Sequence, residues 1–367
     1  EGEGPRLDLY GFIMLDAIYD FDKVDPAWED TLRPSRIPVN CPGDAGCGAD
    51  GNMIFSVRQT RFGIKGFVPT GLGELTTILE FELFGVGDDE GQTTPRLRHA
   101  WAELGQLGAG QTWSAFMDPA VFPNTIDYWG PSGMIFLRNP QIRWTPIRDD
   151  NGELAIALES PGSALDTGKL QEIDPSLDVD PRTVFPDLSA HWRTTGDWGH
   201  FQLAGILRSV GWEVASNPKG EPNGEELGWG LNASAVLNFF DKDALRMQLA
   251  YGEGIASYIN DGGSDLGPDN NFRPEVLPLL GWLVYYDHYW SDQWSTSLGW
   301  SMVDQDNSHN QSDDAFHQSQ YGNLNLLYYP TNDVMIGGEL VHGKLEHKDG
   351  SSATDTRLQM SLKYYFD

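Results

Sequence analysis

The chain has 367 residues, a length that fits two or three ordinary domains or one large all-β barrel. Its 54 acidic residues and 24 Lys and Arg residues give a formal net charge of -30. This charge argues against nucleic acid as a partner, because phosphate binding requires a basic surface. The 13 Trp residues are too many for a disordered acidic chain, and no apolar stretch reaches the roughly 18 residues of a spanning helix.

Two cysteines lie close together near the start of the chain. Cys41 and Cys47 are separated by a short segment rich in glycine and proline, which is pliable enough to close a disulfide bond. A lone cysteine pair without a nearby histidine is a poor zinc site. We therefore predict a loop disulfide and an oxidising, extracytoplasmic compartment. Two free surface thiols are the alternative.

Hydrophobicity alternates with a period of two along most of the chain, and a helical period is nearly absent. In the C-terminal segment Leu358, Met360, Leu362 and Tyr364 alternate with polar or charged residues. Such segments predict sixteen strands, near residues 6–21, 53–68, 72–84, 95–105, 109–117, 134–146, 152–160, 187–195, 199–212, 227–240, 244–257, 276–290, 294–304, 316–329, 333–346 and 354–366.

Long and short connections take turns between these strands. The long ones are 22–52, 85–94, 118–133, 161–186, 213–226, 258–275, 305–315 and 347–353, and the short ones include 69–71, 148–151, 196–198, 241–243, 291–293 and 330–332. An outer-membrane barrel requires this order, with short periplasmic turns and long extracellular loops. A closed barrel also pairs every backbone N–H and C=O group, as hydrocarbon demands. We predict a single all-β domain over residues 1–367, a 16-stranded antiparallel transmembrane β-barrel.

Aromatic residues recur near the ends of the predicted strands. They are Tyr19, Trp144, Trp192, Tyr251, Trp290, Trp294, Tyr328 and Tyr329. Amphipathic rings favour the headgroup level of a bilayer, so this placement predicts an aromatic girdle. Packing of aromatics within ordinary hairpins is the alternative.

Charge is also sorted by location. About half of the acidic residues lie in the long connections, whereas more than half of the Lys and Arg residues lie in predicted strands. This distribution predicts a basic lumen. The chain contains no nucleophile elbow, P-loop or zinc-protease motif, so we do not expect an enzyme.

The basic residues of several neighbouring strands share the face opposite the apolar one. We predict that they form one basic wall, made of Arg61, Lys65, Arg96, Arg98, Arg138, Arg143, Arg193 and Arg208. A guanidinium group stays charged at any working pH and binds carboxylates through two hydrogen bonds. A row of such groups across a narrow pore attracts anions and repels cations.

Two aspects of this wall stay open from sequence alone. Arg138 and Arg143 have opposite parity, so both face the lumen only if a bulge near Pro140 shifts the strand by one residue. On the fourth strand, Leu97 and Trp101 should face away from the arginines. The alternative function for the arginines is simple neutralisation of inward acids, namely Glu80, Glu82 and Glu159.

The connection at 118–133 is less polar than the other long loops, since it contains Val121, Phe122 and Ile126. We predict that it folds into the barrel as a constriction loop and narrows the lumen. Asp118 and Asp127 would then face the arginines across the pore. A loop folded outward as a contact between subunits is the alternative.

No cofactor is expected. Asp261, Asp265 and Asp269 lie in a glycine-rich loop and could hold Ca²⁺, although an ordinary solvated acidic loop explains them as well.

Several motifs resemble those of one known family. Residues 59–66 (QTRFGIKG) look like the second strand of Gram-negative porins, and residues 98–105 (RHAWAELG) resemble their fourth strand. Residues 110–119 (GQTWSAFMDP), 123–125 (PNT), 130–131 (GP) and 138–143 (RNPQIR) look specifically like the DcaP-like porins. The similarity is strongest over residues 53–145.

This resemblance implies a trimeric porin in the outer membrane of a Gram-negative cell, in contact with outer-membrane lipid and lipopolysaccharide. It implies passive diffusion of small anionic solutes such as dicarboxylates and aromatic acids, with the constriction at the basic wall. Two alternatives remain at this point. One is a secreted, Trp-rich β-protein that binds or hydrolyses polysaccharide, and the other is a sugar channel guided by Tyr128, Trp129 and Tyr285.

Overall fold

The structure is a computed structural model that describes residues 4–39 and 50–366. Cys41 and Cys47 lie outside the described residues, so the disulfide stays a prediction.

Most of the described chain is β-structure. The strands are β1 (Arg6–Asp20), β2 (Asn52–Ser56), β3 (Arg61–Thr70), β4 (Gly73–Phe84), β5 (Thr93–Leu104), β6 (Leu107–Trp113), β7 (Arg138–Asp149), β8 (Gly152–Glu159), β9 (Val179–Pro181), β10 (Asp187–Gly196), β11 (Gly199–Val214), β12 (Gly224–Phe239), β13 (Asp243–Glu253), β14 (Leu266–Pro268), β15 (Pro274–Val276), β16 (Pro278–Ser291), β17 (Trp294–Gln305), β18 (Phe316–Thr331), β19 (Val334–His347) and β20 (Ser352–Phe366). The helical elements are α1 (Lys169–Ile173) and the 3-10 turns Pro26–Trp28, Pro34–Arg36, Gly87–Asp89, Pro119–Val121 and Ala256–Tyr258.

The large sheet closes on itself because β1 pairs antiparallel with β20 on one side and with β2 and β3 on the other. Strands β2 and β3 both pair with β1 and count as one strand of the barrel, which is interrupted at residues 57–60. Strand β9 extends the sheet at the end of β11, and β14 and β15 form a separate hairpin. The wall is therefore a closed 16-stranded antiparallel β-barrel, as predicted from the alternation.

The predicted strand positions are confirmed with a few differences. The strand predicted at 109–117 ends earlier, at Trp113, and the strand predicted at 134–146 begins later, at Arg138. The loop between them is therefore longer than expected and spans 114–137. The predicted strand 244–257 ends at Glu253. The eighth long connection is a tight turn of the four residues 348–351. Long loops otherwise lie at one rim of the barrel and short turns at the other.

The barrel has apolar side chains outside and polar side chains inside. On β20, Leu358, Met360 and Tyr364 are 41%, 51% and 50% exposed, whereas Arg357 and Gln359 are fully buried. A protein with a water-facing outer surface has the opposite pattern, and an outer apolar band matches a lipid environment. Within the described residues, no helix is both long and apolar enough to cross a bilayer.

Exposed aromatic residues mark the ends of the wall strands. Six of the predicted girdle residues are at least two-fifths exposed, namely Tyr19, Trp144, Trp192, Tyr251, Trp290 and Trp294. Tyr329 differs, because its hydroxyl group accepts a hydrogen bond from Asn124 inside the barrel. Neighbouring residues of a strand face opposite sides, so Tyr328 and Tyr329 could not both belong to the girdle.

Three long loops fold into the lumen and fill much of it. They are termed L1 (residues 21–39 of the first connection), L3 (114–137) and L6 (254–277). The largest apolar cluster of the protein combines L3 residues such as Phe116 and Ile135 and the L6 residue Tyr258 with the inner wall, for example Leu283. Apolar side chains of the loops are thus buried within the barrel, which explains why L3 is less polar than the other loops.

Candidate functional site

L3 runs around the inner wall of the barrel and is held there by polar wall side chains. Its backbone carbonyl groups accept hydrogen bonds from Asn232 (to Phe116), Gln202 (to Met117), Asn325 (to Asn124), Gln59 and Gln359 (to Ile126) and Gln248 (to Gly133). A buried loop must satisfy its backbone polar groups, and here the wall supplies the partners. The prediction that this loop folds inward is confirmed, and the outward alternative is wrong.

Asp118 anchors the first half of L3. Its carboxylate lies 2.6 Å from Arg193 Nη2, 2.7 Å from His200 Nε2 and 2.7 Å from Ser234 Oγ. It also accepts a hydrogen bond from the backbone N–H of Ala120 at 3.1 Å. Burial acts to raise the pKa of Asp118, but the hydrogen bond from His200 and the charge of Arg193 outweigh it and hold that pKa below its ordinary value.

Asp127 anchors the second half of L3 and does not face the arginine wall. Its buried carboxylate accepts hydrogen bonds from Thr31 Oγ1 at 2.9 Å, the Leu32 N–H at 3.1 Å and the Tyr321 hydroxyl at 3.0 Å. Burial raises the pKa of this carboxyl group. The predicted role opposite the arginines is therefore wrong, because Asp127 is used to join L3 to L1 and β18.

The acids that do face the arginines come from β4. The register places Arg61 opposite Glu82 on β3 and β4. On the other side, Glu80 lies opposite His99 while the next β4 residue lies opposite Leu97, so Arg98 is the extra residue of a β-bulge. The bulge turns both Arg98 and His99 inward. It also turns Trp101 inward, contrary to the prediction from strict alternation, and leaves it 8% exposed.

Arg98 bridges the two acids of β4. Its Nε lies 2.5 Å from Glu80 Oε1 and its Nη1 lies 2.6 Å from Glu82 Oε2. Tyr10 donates a hydrogen bond to Glu80 at 2.8 Å, and the L3 residue Tyr128 donates one to Glu82. Each carboxylate therefore accepts hydrogen bonds from an arginine and a tyrosine at the same time, which favours its ionised form.

Three further arginines lie around the same two carboxylates. Arg61 lies 3.7 Å from Glu80 and 3.5 Å from Glu82, and Arg96 and Arg138 each lie 3.7 Å from Glu82. Arg61 and Arg96 keep about a quarter of their side chains exposed (27% and 28%), whereas Arg98 and Arg138 are nearly buried (6% and 4%). The two exposed guanidinium groups are the ones that a solute can reach.

The charges of this cluster do not balance. Four guanidinium groups surround two carboxylates, and within the part of the chain that the structure describes no third acid lies within 4 Å of them. Two positive charges are left over. Neutralisation of inward acids, the alternative considered above, accounts for only half of these arginines.

A cavity of about 380 Å³ lies between this arginine cluster and the loops. Arg61, Arg96 and Arg98 line it together with residues that are mostly uncharged and aromatic. These other lining residues are Trp113, Met117, Pro119, Phe122, Tyr128, Trp129, Phe136, Leu137, Ser257, Ile259 and Asn260. The cavity therefore offers positive charge next to an apolar, aromatic surface.

Arg138 and Arg143 both turn inward, but not for the predicted reason. Strands β6 and β7 pair in regular register past Pro140, and the bulge lies later, between Trp144 and Ile147. Arg138 reaches the cluster from the first residue of β7, with its guanidinium group 4.8 Å from the Trp113 ring. No bulge forms at Pro140, so that prediction is wrong. Arg138 can turn inward without one because it is the first residue of the strand.

Arg143 and Arg193 serve as supports for L3 and do not line the cavity. Arg143 donates hydrogen bonds to the backbone carbonyl of Trp113 and to Gln141 Oε1, which fixes the start of L3. Arg193 binds Asp118 as described and also donates to Gln202 Oε1 at 3.0 Å. Both are thus removed from the set of predicted solute contacts.

Arg208 and Lys65 also lie away from the cavity. Arg208 is fully buried between Asp187 at 2.9 Å and Asp265 at 3.1 Å, so its predicted place in a basic wall that solutes contact is wrong. Lys65 is exposed, with its ammonium group 4.8 Å from the ring of Tyr10. Inward parity predicted the direction of these side chains but not the depth at which each one lies.

Several cavity residues were missed by the sequence analysis. Trp113 lies between two arginines, with Arg98 at 5.5 Å and Arg138 at 4.8 Å from its ring centroid. The sequence did offer one signal for Trp113, since it ends the segment GQTW that follows the strand containing Arg96 and Arg98. Nothing in the sequence brings L6 residues such as Asn260 to this cavity, since that requires knowing that L6 also folds inward.

The acidic residues considered for Ca²⁺ have other partners. Asp261 binds Arg33 at 2.9 Å, Asp265 binds Arg208, and Asp269 accepts backbone hydrogen bonds within its own loop. Across residues 4–39 and 50–366, no group of three or more His, Cys, Asp or Glu side chains could hold a metal ion. The calcium hypothesis finds no support in this loop.

The proposed aromatic path for sugars is not formed by the predicted residues. Trp129 and Tyr128 line the cavity, but Tyr285 is fully buried in the apolar cluster beneath L3. Tyr128 stacks on Phe84 with ring centroids 3.8 Å apart. Tyr285 therefore does not extend the aromatic surface of Tyr128 and Trp129.

The closed barrel, its outer apolar band and the inward third loop define an outer-membrane porin. The sequence profile of the DcaP outer membrane protein family matches residues 2–257. The chain therefore belongs to the DcaP outer membrane protein family. It is a channel of the Gram-negative outer membrane and not an enzyme, so the secreted polysaccharide-binding alternative is wrong.

Solved porin structures share this fold. The outer membrane channel DcaP of Acinetobacter baumannii is 21% identical, with a TM-score of 0.85 and coverage of 99% of this chain and 98% of that one. An anion-selective porin from Comamonas acidovorans is 11% identical, with a TM-score of 0.64 and coverage of 99% and 100%. The trimer form of OmpT from Vibrio cholerae is 11% identical, with a TM-score of 0.58 and coverage of 99% and 100%. No curated protein sequence matches the chain.

Proposed function

We propose that this porin passes small anionic solutes in preference to cations, by passive diffusion through the cavity beside Arg61 and Arg96. The observation that carries the proposal is the charge of the cluster, in which four guanidinium groups surround two carboxylates. The field of this excess acts in a narrow, partly water-excluded space, where charges interact more strongly than in bulk water.

The aromatic lining of the cavity supports a preference among anions. A carboxylate that contacts Arg61 or Arg96 would place the rest of its molecule against Trp129, Tyr128 and Phe122. Small dicarboxylates would contact both Arg61 and Arg96, and aromatic acids would add contact between rings. We therefore propose carboxylates with a short or planar body as the main solutes.

The acidic extracellular loops do not oppose this proposal at physiological salt. The Debye length there is about 8 Å, so charges on the outer loops are largely screened from a cluster deeper in the barrel. Local arginines set the selectivity, and the loops affect mainly the rate at which anions approach.

We also propose that the porin is a homotrimer surrounded by outer-membrane lipid and lipopolysaccharide. The support is the outward apolar band together with the likeness to OmpT, whose solved structures include a trimer form. The mass of the protein in detergent, measured by light scattering with the detergent contribution subtracted, tests this. A mass of one chain would contradict the trimer.

Uptake into liposomes tests the solute preference. We expect succinate and benzoate to enter faster than neutral sugars of equal size. The double substitution Arg61→Gln/Arg96→Gln removes the two excess charges, and should slow the carboxylates by about fivefold while leaving sugars unchanged.

Arg148→Gln is the control for this experiment. Arg148 is 47% exposed near a short turn, where it binds Glu103 and Glu153, and it does not line the cavity. Its substitution should leave uptake unchanged. Sugars that enter faster than carboxylates of the same size would support a neutral-solute channel and overturn the proposal.

A further inference from the structure

Lys363 is an inward-facing cation without an acidic partner. Its ammonium group lies 4.0 Å from the ring centroid of Phe12 and 5.2 Å from that of Tyr365. It has no hydrogen bond or ion pair to any residue in the described ranges, and it stays partly exposed. Its contacts with two aromatic rings hold the ammonium group in place without neutralising it.

Other basic residues of the inner wall show what a paired cation looks like. Arg357 lies 2.6 Å from Asp20, and Arg246 lies 2.6 Å from Asp287. The nearest acid to consider for Lys363 is Asp16, but its carboxylate accepts hydrogen bonds from Gln59, Gln359 and Ser361. Lys363 thus keeps a positive charge that no wall residue satisfies directly.

Phe12 connects Lys363 to the arginine cluster. The guanidinium group of Arg61 lies 5.1 Å from the same ring centroid that Lys363 contacts. The two cations therefore contact the same aromatic ring. An anion bound at Arg61 has a second positive group, the Lys363 ammonium group, on the other contact of that ring.

Lys363 lies near the rim that carries the short turns. It pairs with Met335, the second residue of β19 after the turn that follows β18. On β1, Lys363 is opposite Met14 and Arg61 is opposite Phe12. The register therefore places the two cations on either side of β1, two residues apart along that strand, so an anion can pass from one to the other across the Phe12 ring.

We propose that Lys363 forms a second anion-binding step, which exchanges carboxylates or chloride with Arg61 across the ring of Phe12. This inference rests on the anion preference proposed above. The aromatic contacts with Phe12 and Tyr365 position the ammonium group, and a passing anion supplies the missing counter-charge. A sequence of separate weak sites allows fast conduction, because no single site holds the ion tightly.

Single-channel recording in planar bilayers, with chloride as the probe, tests this step. Lys363→Met removes the charge and keeps most of the apolar stem. We expect the chloride-to-potassium permeability ratio to fall about twofold and the current at low salt to become asymmetric with voltage, because a charge is lost near one end of the pore. Lys363→Arg should keep both properties, which separates loss of charge from misfolding.

Lys344→Met is the control, since Lys344 shares the outward face of β19 with Leu340, already has an acid partner and lies on the long-loop side of the strand. It should not produce the asymmetry expected for Lys363→Met. If Arg61→Gln lowers the permeability ratio and Lys363→Met does not, the second step is wrong while the proposed function stands. If the unsubstituted channel does not prefer chloride, the proposed function fails. A shift toward potassium in Lys363→Met would then still support a contact between Lys363 and the ions.

Discussion

At the residue scale, the same chemical group has different tasks at different depths of the lumen. Arg98 and Arg138 are almost buried and hold the two acids of β4, whereas Arg61 and Arg96 remain accessible. The buried pair keeps the cluster assembled, and the accessible pair carries the excess charge toward the cavity. Arg208, which has the same inward parity, binds Asp187 of the wall and Asp265 of L6 and also donates to the backbone carbonyl groups of Gly162 and Gly254.

The hydroxyl group of Tyr128 joins L3 to this cluster, because it donates to Glu82 and accepts from Arg96 at 3.1 Å. We predict that Tyr128→Phe weakens the attachment of L3 by about 1–2 kcal/mol, the usual effect of removing one partner of a charged hydrogen bond. Current noise should increase, while the reversal potential should stay the same because no charge is lost.

Tyr10→Phe is the control for this prediction. It removes an equivalent phenol from Glu80 without touching L3. Equal noise in the two variants would show that the attachment of L3 does not depend on Tyr128.

We predict that the contributions of Asp118 and Asp127 to stability depend on pH in opposite ways. The pKa of Asp118 is lowered, so its stabilising effect is present above the ordinary aspartate pKa and is lost as the pH falls. The pKa of Asp127 is raised, so its effect is greatest in acid and is lost as the pH rises through the raised value.

Thermal unfolding in detergent at pH 7.5 and at about pH 3, which is below the ordinary aspartate pKa, measures this difference. The stability lost in Asp118→Asn should shrink as the pH is lowered, whereas the stability lost in Asp127→Asn should grow. Parallel changes in the two variants would contradict the assignment of opposite pKa shifts.

At the element scale, the three inward loops are joined by one guanidinium group. Arg33 of L1 lies 4.1 Å from the Trp28 ring and 4.2 Å from the Trp129 ring of L3, and it binds Asp261 of L6 at 2.9 Å. Stacking between two indoles and pairing with an acid fix this group in one position. L1, L3 and L6 are therefore expected to move as a unit.

We predict that Arg33→Met lowers the stability of this loop assembly by about 2 kcal/mol or more. Proteases added to the outer face of cells or proteoliposomes should then cleave L1 and L6 faster. Arg36→Met is the control, since Arg36 belongs to the same loop but is 41% exposed and lies 3.9 Å from Glu90. Unchanged cleavage in Arg33→Met would contradict the proposed link.

The sequence predicted the strands well, because each wall strand carries its own alternation of apolar and polar residues. It predicted the inward fold of L3 from residues such as Val121 and Phe122. It could not assign partners within the lumen, since Asp127 meets Glu339 more than two hundred residues away through its backbone N–H. The bulge at Arg98 left no local signal either, so the inward turn of Trp101 was missed.

At the scale of the whole molecule, the barrel is stable only where its outer face meets lipid. Leu231, in the middle of β12, is 54% exposed on this face. We predict that Leu231→Arg destabilises the barrel in bilayers by about 2–4 kcal/mol, since a charge near the middle of the membrane loses its hydration. Refolding into lipid vesicles against a urea gradient measures the change.

Leu72→Arg is the control at this scale. Leu72 is 84% exposed in a short turn, where water replaces lipid. Its substitution should change the stability little. A similar loss in both variants would show that exposure alone, and not contact with lipid, explains the effect.

The central claim is that the excess positive charge beside Arg61 and Arg96 determines which ions pass. The reversal potential in a potassium chloride gradient across a planar bilayer tests it most directly. We predict a potential of the sign that chloride preference gives, which moves toward zero in Arg61→Gln/Arg96→Gln and is unchanged in Arg148→Gln. A potential of the opposite sign, or one that the double substitution does not alter, would contradict the claim.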